Sequence, residues 1–304
     1  MRRLVILLAL LAASAGGEAS RDLEQPPVSA KAKELRQKAQ ELWGPVTGVW
    51  DLVRAKKPVP PADAAAAMPV LEQVVDLFER SLHEEWNGEA NRTLADAVRT
   101  WAKLRQQLPP QAPPADDAEK RKAEKAATAR KQEVREFVMQ YAAERRTTSL
   151  FRTCPKCEGR GENASPFGDR RECAACQKRG RLLDREGIVA ARWLRFSPLY
   201  RATPRREQEV NRLLSGSPPD AQRDWFAPYL KGTTIKEVED HDFWARVKAQ
   251  DQVQLTLTTN KTEKTDATYI LLRIGKVWYL FDPQIDRELL SPKEYEEVVP
   301  PPAK

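Results

Sequence analysis

Every cysteine of the 304-residue chain lies between positions 154 and 176, as Cys154-Pro-Lys-Cys157 and Cys173-Ala-Ala-Cys176 with fifteen residues between the pairs. No other feature restricts the fold so sharply. Four thiolates presented by two tight turns complete a tetrahedral zinc shell. A segment this small buries little core, so metal ligation supplies much of its folding free energy. Gly159, Gly161 and Gly180 follow the pairs, where the backbone turns back toward the sulfurs with positive φ. Lys156, Arg160, Arg170, Arg171, Lys178, Arg179 and Arg181 surround the cysteines. They offset the charge of −2 that zinc carries with four thiolates. The intervening residues, with Asn163, Pro166 and Gly168-Asp169, fit a turn-tipped hairpin between two knuckles.

The run Cys154-Pro-Lys-Cys157-Glu-Gly159-Arg-Gly161 resembles one repeat of the cysteine-rich zinc domain of DnaJ-type co-chaperones, whose pattern is Cys-x-x-Cys-x-Gly-x-Gly. The second run keeps Gly180 but has Lys178 where the first glycine stands. In that family four repeats pair to make two zinc sites, whereas two repeats here suffice for one. No His-Pro-Asp tripeptide is present, so the element by which that family stimulates its partner ATPase is missing. The resemblance covers about 30 residues by this pattern. It implies a zinc-binding, rubredoxin-like knuckle and a role in protein contacts, without co-chaperone activity. Two other readings of the cysteines stand beside it. Disulfides form in oxidising compartments, and Cys-x-x-Cys is also a redox motif, though the βαβ surroundings of a thioredoxin are absent. Haem attachment is excluded, because Glu158 and Gln177, not histidine, follow the pairs.

The compartment matters to that choice. Arg2-Arg3, the apolar run Leu4–Ala12 and the small residues Ala13-Ser14-Ala15 read as an export signal over residues 1–15. The apolar run is far short of the ~20 residues that span a bilayer. Losing its two arginines lowers the formal net charge from +7 to +5. That balance suits a soluble protein drawn to anionic surfaces and does not by itself argue for nucleic acid.

Residues 16–30 read as a disordered lead-in, and 31–108 as a helical bundle region. Its first helix starts near Lys31, with Leu35, Ala39 and Leu42 on one face, and is expected to end at Gly44-Pro45. The second runs over residues 62–82, with Val70, Val74, Leu77 and Phe78 as its stripe. Asn87-Gly88 makes a turn. The third helix carries Leu94, Ala97, Val98, Trp101, Leu104 and Leu108. Four prolines in residues 109–114 mark a linker over 109–117. Residues 118–148 form one charged helix, capped by Asp116 or Asp117, whose first half is a solvated spacer. Its second half gains an apolar face from Val134, Phe137, Val138 and Tyr141 and is expected to dock.

The four-cysteine knuckle occupies 149–186 and an α+β domain 187–304. Residues 204–215 read as a helix, and Pro218-Pro219-Asp220 as the start of another that includes Trp225, Phe226, Tyr229 and Leu230. The period then becomes two, at Phe243, Ala245 and Val247 and again at Val253, Leu255 and Leu257. Thr268–Ile274 and Val277–Phe281 form a hairpin about Gly275-Lys276, and a short helix begins near Ser291-Pro292. The fold class is thus multidomain α+β with an antiparallel sheet. The closing run from Gly275 to Asp282 is similar to the last hairpin of the nuclear-transport-factor-like cone fold, a likeness of shape that implies no activity.

Catalytic signatures are sparse. His83 and His241 are the only histidines, and the cluster Glu237-Val-Glu239-Asp240-His241-Asp242 reads as a polar strand or loop, with cation binding as the alternative. There is no His-Glu-x-x-His, phosphate loop or nucleophile elbow. The sequence therefore reads as an exported, non-enzymatic protein holding one structural zinc ion on Cys154, Cys157, Cys173 and Cys176 and binding a protein or peptide. The rivals are an enzyme or small-ligand binder with its site in the C-terminal domain, and a thiol/disulfide redox protein.

Overall fold

The computed structural model describes residues 29–108, 115–145, 151–164, 170–215, 229–254 and 261–299. The expected leader, most of the 109–117 linker, Pro218-Pro219-Asp220 with Trp225 and Phe226, and Leu255 and Leu257 lie outside them. Three helices come first: α1 (Ala30–Arg54), α2 (Pro61–Glu84) and α3 (Gly88–Gln107). α1 lies against α2 through Ala32, Leu35, Ala39 and Val46. The pair is antiparallel, since Lys31 meets Glu84 and Ser81 Oγ donates to the Ala32 carbonyl at 3.2 Å.

The expected break at Gly44-Pro45 does not occur, and α1 continues ten residues past it, counting from Pro45 to Arg54. Gly44 has no Cβ to collide with the proline ring, so the usual obstacle to helix before proline is absent there. Val46 then resumes the buried face on α2, and packing of that face outweighs the single backbone hydrogen bond that proline removes. Asn87 separates α2 from α3 as expected, but as an extended N-cap, with Gly88 already helical. Its side chain accepts from the Ala90 N–H at 2.8 Å and caps α3.

The long helix α4 (Asp117–Glu144) is capped by Asp116. Exposure runs from residue 117 to 126 without interruption, and burial begins at Val134. The docking surface is a four-stranded antiparallel meander in the order β5 (Tyr229–Asp240), β6 (Trp244–Gln254), β7 (Glu263–Ile274) and β8 (Val277–Leu280). Side chains alternate across it. Ala245, Val247, Leu271, Trp278 and Leu280 meet Val134, Phe137, Val138 and Tyr141 of α4. Trp244, Leu272, Ile274, Tyr279 and Phe281 face the other way, into one apolar cluster with α2, α3 and the helices α5 (Arg185–Arg192), α6 (Pro198–Arg201) and α7 (Pro204–Leu214). The helical N-terminal region and the sheet thus share a core. This is the α+β class expected.

The helix expected through Tyr229 and Leu230 is a strand instead. Both residues open β5, where Leu230 pairs with Val253 and packs against Ala142 of α4. A short helix α8 (Pro292–Val298) follows Ser291 with a full capping box. Arg105 of α3 clamps α8 with two 2.8 Å hydrogen bonds to Glu294. No helix among the described residues is long and apolar enough to cross a membrane.

Two buried polar ties fasten α6. Arg201 is fully buried and pairs with the buried Glu79 of α2. Ser197, which caps α6, donates its hydroxyl to the fully buried Asp286, which also accepts from the Asp282 N–H at 2.8 Å. Burial pushes the Asp286 carboxyl up to about 7, against those two hydrogen bonds. An unfolded aspartate ionises near pH ~3.9, so between these values the fold holds a proton that the unfolded chain releases. Stability from this group is complete below the lower value and is lost as pH rises through the higher one, with a steepest slope of about 1.4 kcal/mol per pH unit. Asp286→Asn is expected to flatten that part of the profile, which urea midpoints at about pH 5 and 7.5 for both proteins will measure. An unchanged difference between the two pH values would contradict the assignment.

Candidate metal centre

The described residues of 151–183 form two two-stranded antiparallel sheets, one nested within the other in sequence. β1 (Phe151–Thr153) pairs with β4 (Arg181–Leu183) as a stem, and β2 (Glu162–Ala164) pairs with β3 (Arg170–Glu172) as the expected inner hairpin. Between stem and hairpin, each Cys-x-x-Cys closes a tight turn. The Arg160 N–H donates to the Cys157 carbonyl at 2.9 Å, and the Arg179 N–H to the Cys176 carbonyl at 3.0 Å. The turns also lock each other: the Cys154 N–H donates to the Gly180 carbonyl at 3.0 Å and the Cys173 N–H to the Gly161 carbonyl at 2.9 Å. The result is a local two-fold repeat of backbone geometry.

That repeat brings all four predicted ligands together. Cys154 Sγ lies 3.9 Å from Cys173 Sγ, and Cys157 Sγ lies 3.6 Å from Cys176 Sγ. All four sulfurs sit within 4.8 Å of one another, and all four residues are buried. A tetrahedron with metal–sulfur bonds near 2.3 Å has edges of about 3.8 Å, so the donor set fits one ion. A disulfide needs sulfurs about 2.0 Å apart, and the cysteines are free thiols. The surroundings treat the sulfurs unequally. The Cys176 N–H, aimed at Cys173, lowers that thiol to about 7, while burial pushes Cys176 up to about 11. The Gly161 N–H donates to Cys157 Sγ at 3.3 Å. N–H donors aimed at Cys173 and Cys157 are of the kind that orient thiolate ligands toward a soft or borderline cation.

The glycines are needed where the two turns cross. Gly161 and Gly180 have φ of 76° and 68°, and a Cβ on either would collide with a backbone carbonyl of the opposite turn, that of Lys178 or Gly159. Gly159 (φ 83°) and Lys178 (φ 68°) occupy equivalent positions, so the second turn holds a side chain in the left-handed region that the first leaves to glycine. Glu158 and Gln177 match in the same way, at 50° and 49°. Lys178→Gly is expected to stabilise the turn by about 1 kcal/mol and to tighten metal binding several-fold, as a competition titration with a chromophoric chelator will read. Gly180→Ala is expected to weaken it, and equal affinities in the three proteins would contradict the strain argument. The mutual carbonyl lock is the part of the site that residue spacing alone did not disclose.

No family model, curated protein or solved structure matches this chain. The likeness to DnaJ-type repeats is therefore one of local pattern.

The other sequence candidates do not converge on a ligand. Among the described residues, the four cysteines are the only group placed to share a metal ion. Around His241, Glu237 pairs with Lys248, Glu239 with Arg246, and Asp240 and Asp242 with Arg130, while the imidazole stacks on Trp244 at 3.7 Å. This is the polar strand end expected. Two of the open grooves among the described residues, of about 380 and 460 Å³, lie between α1 and the start of α3 and between α2 and Gly275-Lys276. Neither reaches the cysteines or His241. Asn91, in one of three glycosylation sequons, is wholly buried inside α3.

Proposed function

We propose that this chain is an exported, non-enzymatic protein whose cysteine module holds one structural zinc ion and which works by binding a protein or peptide. The observation that carries the reading is the closed set of four buried sulfurs at tetrahedral spacing. Zinc with four protein ligands has no position for water or substrate, which is the mark of a structural site. The free thiols are the reduced form that a redox protein would also have; it is the burial of all four sulfurs, which keeps a partner disulfide from reaching them, that counts against the redox reading. Export rests on the pattern of the first fifteen residues. Binding is favoured over catalysis because the acids near His241 are spent in ion pairs.

Metal analysis of the purified chain, combined with a thiol count, tests the reading. One zinc per chain with four thiols that react only after chelation is the expected result. Two disulfides and no metal would overturn it.

A further inference from the structure

The cysteine module carries more cationic side chains than its own acids can pair. Residues 151–183 contain eight lysines and arginines against four acids. Glu158 pairs with Arg160, Glu162 approaches Arg170 at 4.0 Å, and Glu172 pairs with Lys178. Arg181 lies over the Phe151 ring. Lys156, Arg171 and Arg179 are exposed and have no acidic partner among the described residues. The local two-fold shows why for Arg179. Its counterpart Arg160 is held by Glu158, but the residue matching Glu158 in the second turn is Gln177. In β3, Arg171 sits opposite Asn163, so it points away from the face on which Glu162 and Glu172 are paired.

We infer that this cationic surface of the cysteine module is a docking site for an acidic peptide segment of a partner protein. The inference rests on the protein-binding reading above and names the chemistry of the partner. Charge complementarity gives the sign. The module's other surface chemistry selects the class. Single-stranded nucleic acid is gripped by exposed aromatic rings on which bases stack. The one aromatic side chain among the module's described residues is Phe151, half-buried beneath Arg181. Membrane surfaces are gripped by exposed large apolar side chains next to basic ones. Among the described residues the sole exposed large hydrophobic side chain, Met139, belongs to α4. An extended acidic peptide needs neither. It needs separated cations around a rigid centre, and a metal-fixed backbone supplies them without an ordering cost at each loop.

The test uses the zinc-loaded full chain and a fluorescein-labelled peptide of alternating aspartate, glutamate and serine, followed by anisotropy at low and moderate salt. Two variants carry the same charge change: Lys156→Glu with Arg171→Glu and Arg179→Glu in the module, and Arg121→Glu with Lys122→Glu and Lys125→Glu on the exposed start of α4. The module variant is expected to lose affinity at least tenfold and the α4 variant less than threefold, with binding weakening as salt rises. If the glutamate variant loses zinc, the glutamine version replaces it, and a loss of several-fold is expected. Equal losses in both variants, or tighter binding of oligonucleotides or phosphatidylserine vesicles than of the peptide, would overturn the inference. A neutral partner peptide bound equally by wild type and module variant would overturn it too, while leaving the protein-binding reading intact.

Discussion

With one zinc ion on the four cysteines as proposed, Cys173→Ser is expected to abolish its binding and to unfold residues 151–183, while the remainder stays folded. The four sulfurs are mutually close and buried, and among the described residues the cluster consists of the cysteines, with only Leu182 packed against it. Zinc binding of this kind is worth about 10–16 kcal/mol and is itself the folding free energy of such a module. Removing one ligand leaves two short strand pairs that do not hold their shape in water alone. No tryptophan lies within 151–183, so tryptophan fluorescence reports the body only. Urea unfolding followed by that signal should keep its midpoint, while the reactive thiols rise from none to three. A large fall in the tryptophan-monitored midpoint would show that the core depends on the metal and would refute the separation.

The second large effect lies in the core. Arg201 and Glu79 are an ion pair with almost no solvent contact. Arg201 also sits 5.9 Å from the centre of the buried Tyr279 ring. Taking either partner away leaves an unpaired charge in the interior, so Glu79→Leu or Arg201→Leu alone is expected to cost about 3–5 kcal/mol. For a chain of this size that lowers Tm by roughly 10 °C. The double replacement is expected to recover most of the loss, because the pair itself gains little over apolar side chains of similar volume. One guanidinium nitrogen, Arg201 Nε, has no hydrogen-bond partner among the described residues, which weakens the native pair further. Thermal melts of the three variants decide the matter. Additive losses in the double variant would mean that α2 and α6 are held by something other than this charge pair.

The four-cysteine cluster was legible in the sequence because a Cys-x-x-Cys turn is fixed by residues next to one another. Spacing and glycine placement then leave little freedom. α2, α3 and α4 were legible for the same reason, as periodic stripes such as Val134, Phe137, Val138 and Tyr141. β5 was not, and its register explains why. Leu230, Thr233, Ile235, Val238 and Asp240 face α4, at spacings of three, two, three and two, because the pairing skips Lys231 and Lys236. Two bulges erase the period of two that identifies a strand. The sharing of one core by α2, α3 and the sheet was equally hidden, since contacts such as Glu79 with Arg201 join residues more than a hundred positions apart. Local chemistry leaves a trace in spacing; long-range burial does not.

The stem of the cysteine module bears on how such a chain came to be assembled. Phe151 and Leu183 are paired across β1 and β4, so the chain leaves the body and returns to it at one place. Arg195 meanwhile binds Glu144 directly, tying the end of α4 to the segment after α5 without passing through the module. Closing residues 154–180 as a loop between neighbouring strands costs about 3 kcal/mol of chain entropy, well below what metal ligation returns. A stretch attached in this manner can be gained, lost or exchanged by a gene with repacking needed at its stem, where Phe151 packs against the shared core.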